Sequence, residues 1–171
     1  GRYKAEYETE TGLSTDGISE LTEKLTTYPP GFHIHAKVKK LLEQRAEMGA
    51  GERDVDYGMA EALAFASLVK AGIPIRMSGQ DCRRGTFNQR HSVLIDIENE
   101  QEYVPLQNIA DGQATCEIYN STLSEAGVMG FEYGYSRDYP EALVMWEAQF
   151  GDFANVAQAV IDQFVVAGED K

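Results

Sequence analysis

The run SGQDCRRGTFNQRH (78–91) holds three of the chain's 15 lysine and arginine residues, Arg83, Arg84 and Arg90, and one of its three histidines, His91. Guanidinium groups bind carboxylate or phosphate through paired hydrogen bonds, and imidazole exchanges protons near neutral pH. Gly79 and Gly85 let the backbone turn sharply or approach a ligand closely. The chemistry this fits is reception of an anionic substrate or cofactor. A solvated basic loop bridging to acidic surface, with Asp81 inside the run, is the plainer reading of the same residues.

A second run, NSTLSEAGVMGFEYG (120–134), puts Glu125 where a helix begins, and the helix dipole favours an ionised carboxylate there. Gly127, Gly130 and Gly134 each weaken a helix by about 1 kcal/mol relative to alanine, which a sequence tolerates where another backbone or a flat ligand packs close. Tight helix packing, with Glu125 as an ordinary first-turn acid, accounts for the run equally well. A third run, WEAQFGDFAN (146–155), follows a wholly apolar strand and mixes carboxylates, the Gln149 amide and the Phe150 and Phe153 rings. That set suits a pocket for a planar heterocycle. Its plainer reading is a helix start capped by Asp152 with both rings in the core.

Other chemistries find less support. His33 and His35 alternate as on a strand but have no third ligand nearby, so a metal site is not expected. Cys82 as a nucleophile would need a lowered thiol pKa, which sequence does not reveal. No G-x-x-x-x-G-K-S/T phosphate loop occurs, and residues 127–134 do not follow a strand as a dinucleotide-binding turn does.

The elements that must position these runs are legible in outline. Residues 15–25 form a short helix with Ile18, Leu21 and Leu25 on one face, broken by Tyr28-Pro29-Pro30-Gly31. A surface helix spans about 34–48, with Ile34, Val38, Leu41, Leu42 and Met48 as its apolar positions. Residues 1–54 thus read as a helical connector with little core of its own. From 55 onward an α/β domain is expected to run to 171. Asp56 caps a helix carrying Met59, Leu63, Leu68 and Val69, and strands follow at 75–78, 93–95, 103–104, 116–119 and 143–146. Further helices are expected at about 124–135 and 153–166. Helices alternating with short apolar strands predict a mostly parallel sheet flanked by helices. Right-handed crossovers would bring the loops 79–91, 120–125 and 147–153 to one sheet edge, where ligands bind.

Composition bounds the rest. At 171 residues, 43% hydrophobic and 25% charged, the chain is globular and long enough for one domain of roughly 100–200 residues. Its net charge, 15 − 28 = −13, argues against nucleic acid and anionic membranes as partners. Two cysteines, a polar amino terminus and the lack of any apolar run near 20 residues predict a soluble, intracellular protein of a reducing compartment.

Three motifs, SGQDCRRGTFNQRH (78–91), NSTLSEAGVMGFEYGYS (120–136) and LVMWEAQFGDFANVAQAVIDQF (143–164), carry a resemblance in their order and spacing. Residues 54–171 resemble the transketolase-like, pyrimidine-binding domain of the decarboxylating component of 2-oxoglutarate dehydrogenase. Residues 1–53, with LTTYPPGF at 25–32, resemble the connector that precedes it. The resemblance implies a thiamine diphosphate enzyme of the tricarboxylic acid cycle. In it, Glu125 hydrogen-bonds a nitrogen of the aminopyrimidine ring, Phe153 stacks on that ring and Gln149 faces the cofactor nearby. His91 would handle protons or bind the substrate's carbonyl or carboxylate, and Arg83 and Arg84 are candidates for the distal carboxylate. The implied reaction decarboxylates 2-oxoglutarate and passes the succinyl group to the lipoyl arm of a succinyltransferase component, in an enzyme that is a homodimer.

One departure is large. Enzymes of this kind hold the diphosphate through Mg²⁺ and a GDG…N motif, and no GDG occurs in these 171 residues. The expectation is therefore a piece of a longer chain, or one complemented by another chain, inactive alone. Two alternatives stand beside it: the same domain in a paralogue acting on another 2-oxo acid such as 2-oxoadipate, and a non-catalytic assembly module of this fold.

Overall fold

Three polar side chains start the three amino-terminal helices. Ser14 Oγ accepts the Gly17 N–H at 3.1 Å ahead of α1 (Thr15–Thr26), and His35 Nδ1 accepts the Lys37 N–H at 3.2 Å ahead of α2 (Ala36–Gly49). Asp56 Oδ1 accepts the Met59 N–H at 2.8 Å ahead of α3 (Tyr57–Lys70). Each satisfies an N–H that a helix start leaves without an intrahelical partner. Gly72, at φ +86°, then turns the chain out of α3. The computed structural model describes residues 4–168.

Beyond α3 the strands β1 (Ile75–Gly79), β4 (Cys116–Asn120) and β5 (Leu143–Glu147) form a parallel sheet in the order β4-β1-β5. The register aligns Gly79 with Asn120 on one side and with Glu147 on the other, so all three strands end level. β1 lies between its two successors, and the connection after β4 crosses it to reach β5. That is the topological switch at which open α/β sheets bind ligands. The connection is α4 (Glu125–Asp138).

The core is continuous across the chain. Leu21 and Leu25 of α1 and Met48 of α2 join Met59, Leu63, Phe65, Ala66 and Val69 of α3 and Ile75, Met77, Cys116 and Ile118 of the sheet in one buried cluster. The helices of the first 54 residues share this core: α1 packs against α3, and α2 packs against α1.

Four expectations change. The segments near 94 and 103 do not enter the parallel sheet: β2 (Leu94–Ile95) and β3 (Glu102–Tyr103) pair only with each other, antiparallel, because a tight turn suffices to join such strands. Ile34 lies outside α2, bridged to Asp96, since the Asp96 carboxylate accepts the His33 N–H at 2.9 Å and holds this segment extended. The last helix is broken into a 3-10 turn (Gly151–Ala157), one α turn (Gln158–Val160), a π turn (Ile161–Val165) and a closing 3-10 turn (Val166–Gly168). A regular helix draws most of its stability from a buried apolar face, and here only Ala157 is buried while Phe164, Val165 and Val166 are exposed. Close packing is also missing at two of the three α4 glycines among the described residues, whereas a Cβ at Gly127 would stand 2.9 Å from Ser124 Oγ. A Cβ at Gly130 or Gly134 would meet nothing within 4 Å among the described residues.

Candidate functional site

The level strand ends put Gln80, Ser121 and Glu147–Gln149 at one edge. Glu125 is the first residue of α4 and half-buried, and one carboxylate oxygen accepts a hydrogen bond from Gln80 Nε2 at 3.1 Å. The helix behind it is fixed by a buried ion pair: Arg76 on β1 donates Nε and Nη2 to the two oxygens of Glu132, at 2.9 and 3.0 Å. The Arg76 guanidinium also lies over the rings of Tyr119, Phe131 and Tyr135, 4.7–5.3 Å from their centres.

The loop from Gln80 to His91 is strained in several places. Asp81, Asn88 and His91 all have positive φ (57°, 58° and 44°), and Gly85, at +82°, has no room for a Cβ beside the Gln89 amide. Such conformations cost of order 1–3 kcal/mol each and persist only where surrounding contacts over-determine them. Those contacts come from two arginines that sequence reasoning did not assign to the site. Arg90 is 5% exposed and paired with Glu61 of α3 and Glu147 at the end of β5. Arg45 of α2, also buried, donates to the carbonyls of Gln89 and Arg90 at 2.8 and 2.9 Å. Burial by itself would lower the Arg90 pKa, but hydrogen bonds and charge from Glu147 and Glu61 hold it above its ordinary value. Arg45 carried one legible signal, its spacing of three from both Leu42 and Met48 on the buried stripe of α2. The partners of Arg90 lie 29 and 57 residues away, and no local pattern reveals them.

Arg83, Arg84 and His91 surround one pocket of about 350 Å³, with Asn120, His35 and the apolar side chains of Ile34, Val38 and Leu94. Both guanidinium groups already meet carboxylates: Arg83 pairs with Glu102, and Arg84 pairs with Asp81 and donates to Asn88 Oδ1 at 3.1 Å. The Arg83 Nε is buried and has no hydrogen-bond partner among the described residues. The His91 imidazole is held below its ordinary pKa of 6.5 by burial and then by the positive charges of Arg45 and Arg84, against the opposing pull of Asp81.

Glu125, Gln149 and Phe153 stand apart from that pocket. Phe87, Phe150 and Phe153 form a row of edge-to-face rings at 6.0 and 5.7 Å, and Phe150 and Phe153 are 45% and 37% exposed, so neither ring lies in the core. Asp152 caps no helix. The Gln149 carbonyl accepts a hydrogen bond from Thr86 Oγ1 at 3.3 Å, which ties the aromatic segment to the 80–91 loop. The turn that carries Phe153 packs against α4, the helix that starts at Glu125.

The remaining candidates resolve structurally. His33 faces Asp96 and Glu98 while His35 caps α2, and among the described residues no group of three or more His, Cys, Asp or Glu side chains could hold a metal ion. Cys82 is fully buried, and burial pushes its thiol up to about 12, opposite to what a nucleophile needs. Among the described residues no helix is long and apolar enough to cross a membrane.

Comparison with known proteins agrees with this geometry. The family described as "transketolase, pyrimidine binding domain" matches residues 53–171. The chain is also 52% identical over 161 residues to proteins named 2-oxoglutarate dehydrogenase E1 component from Brucella anthropi and Brucella ovis. Those 161 residues are 94% of this chain but only 16% of each relative.

Proposed function

Because the chain belongs to the transketolase pyrimidine-binding domain family, we propose that it forms the pyrimidine-facing half of a thiamine diphosphate site in an enzyme that decarboxylates 2-oxoglutarate. The observation that carries this is Glu125, a carboxylate held at a helix start by Gln80, on the edge where the exposed Phe150 and Phe153 rings also stand. A flat heterocycle with a ring nitrogen fits that set. Phe153 would offer a face to the ring, the Gln149 amide would border it, and the free oxygen of Glu125 would share a proton with the ring nitrogen. When bound, the cofactor supplies the carbanion chemistry that releases carbon dioxide from a 2-oxo acid.

The other residues serve the substrate. Depressed below its ordinary pKa, His91 is neutral near pH 7 and can accept a proton or a hydrogen bond. The Arg83 and Arg84 pocket receives the distal carboxylate, with Glu102 and Asp81 as the counter-charges it displaces. Residues 1–54 are the connector and 55–171 the domain, a division supported by the family match from residue 53. The intact enzyme would hold Mg²⁺ with the diphosphate through ligands that this chain does not supply. The names of the relatives support 2-oxoglutarate as substrate. On this reading the complete enzyme is cytoplasmic and homodimeric and hands a succinyl group to a lipoyl-bearing partner, and the 171-residue chain alone is inactive.

The test is Glu125→Gln in the complete enzyme. Loss of a positioned acid–base group lowers decarboxylation by about 100-fold or more. A rate within a few-fold of the parent sinks the reading and favours an assembly module of the same fold.

A further inference from the structure

We propose that Arg90 is the positioning residue of this site: its buried guanidinium locks the loop that presents His91 onto the strand end that presents Gln149 and Phe153. The inference rests on reading this edge as the cofactor-facing half-site. All five guanidinium N–H groups are used. Nε donates to Glu61 Oε1 at 2.6 Å and Nη2 to Glu61 Oε2 at 3.0 Å. Nη1 donates to the Cys82 carbonyl at 2.6 Å and to Glu147 Oε1 at 2.9 Å, and Nη2 also reaches Glu147 Oε2. One side chain therefore ties together α3, both ends of the 80–91 loop and the last residue of β5. Lysine, with a single ammonium, cannot make that set.

The neighbouring contacts point the same way. Arg45 binds the Arg90 carbonyl, so the backbone directly before His91 is held from the α2 side as well. The N–H groups of Arg90 and His91 both reach the Arg84 carbonyl at 3.0 Å, closing the loop on itself. At the strand end, Gly79 leaves room for Glu147, since a Cβ there would stand 2.3 Å from the Glu147 carbonyl oxygen. Loop and strand end are thus brought together by a missing side chain on β1 and held there by Arg90. With Glu61 and Glu147 balanced by Arg45 and Arg90, the four charges cancel and the group can remain buried.

Two buried cysteines supply a reporter that separates positioning from general stability. Cys82 lies in the loop, and Arg90 holds its carbonyl; Cys116 lies in β4, away from the clamp. In the full-length enzyme, Arg90→Lys and Glu61→Gln are compared with the parent by peptide-resolved alkylation, thiamine diphosphate affinity, kcat and KM. Release of the clamp raises Cys82 labelling about tenfold or more while Cys116 stays protected, and misplacement of the site costs about 100-fold in kcat/KM.

Equal labelling of both cysteines means global loosening, and protection of both means the loop is held without Arg90; either result overturns the clamp. Selective Cys82 labelling with kcat/KM within twofold of the parent shows a held loop that does not position the site, and overturns the role. If Arg90→Lys does not fold, Glu61→Gln is judged on the same readouts. Failure of the Glu125 test would leave the labelling result intact, so the two readings fall separately.

Discussion

His91 shows what a residue gains from where the chain places it. An exposed histidine is half-protonated near pH 6.5, whereas burial together with Arg45 and Arg84 holds this one lower. The native state therefore binds fewer protons than the unfolded state between the native midpoint and about 6.5, and stability contributed by His91 rises with pH through that window and is lost as pH falls through it. Following the ring by NMR titration should place its midpoint below 6.5. Arg84→Gln should move the midpoint up and Asp81→Asn should move it down, and two unchanged midpoints would refute the electrostatic account. That Glu125, His91 and Phe153 follow the strands of the sheet was legible in the sequence, whereas the roles proposed for them rest on the family resemblance. Arg90 stood in the same basic run, yet its buried role depends on Glu61 and Glu147, which only the tertiary fold brings near.

At the scale of elements, α4 carries Glu125 and must be held at a fixed angle to the sheet. The Arg76–Glu132 pair does this beneath three aromatic rings, with Glu132 only 4% exposed. Arg76→Leu leaves a buried carboxylate without a partner and should cost about 3–5 kcal/mol in urea denaturation, whereas the double change with Glu132→Leu should recover most of that loss. A double variant no more stable than the single would show that the ring contacts of Arg76, not its charge, hold α4. The helices and the three parallel strands were legible from caps and apolar spacing, as with Asp56 ahead of Met59 and Leu63. The carboxyl-terminal helix was not, because its pattern is helical while the face it needs is exposed in Phe164, Val165 and Val166. Periodicity reports what a segment can bury, and here the Tyr133 ring meets Phe164 at 5.6 Å yet leaves it 53% exposed.

The whole molecule is a short sheet with its chemistry on a single edge. Glu125 and the row of Phe87, Phe150 and Phe153 stand there, and Leu123, ahead of α4, and Phe131 on that helix are exposed. Rings exposed to this extent would give a flat cofactor one wall of a pocket and not an enclosure. In a chain of net charge −13, the Arg83 and Arg84 guanidinium groups offer an anion local attraction once it displaces the carboxylates they now face. Affinity for a small molecule depends on enclosing most of its surface. The 171-residue polypeptide alone should therefore show no saturable binding of thiamine diphosphate at concentrations that saturate the complete enzyme, and should release no carbon dioxide from 2-oxoglutarate. Calorimetric titration and a trapped-gas assay check the two outcomes. Turnover by the isolated chain would mean that the edge closes on itself in solution and that the half-site reading is wrong at the scale of the whole molecule, even if Glu125 remains its acid.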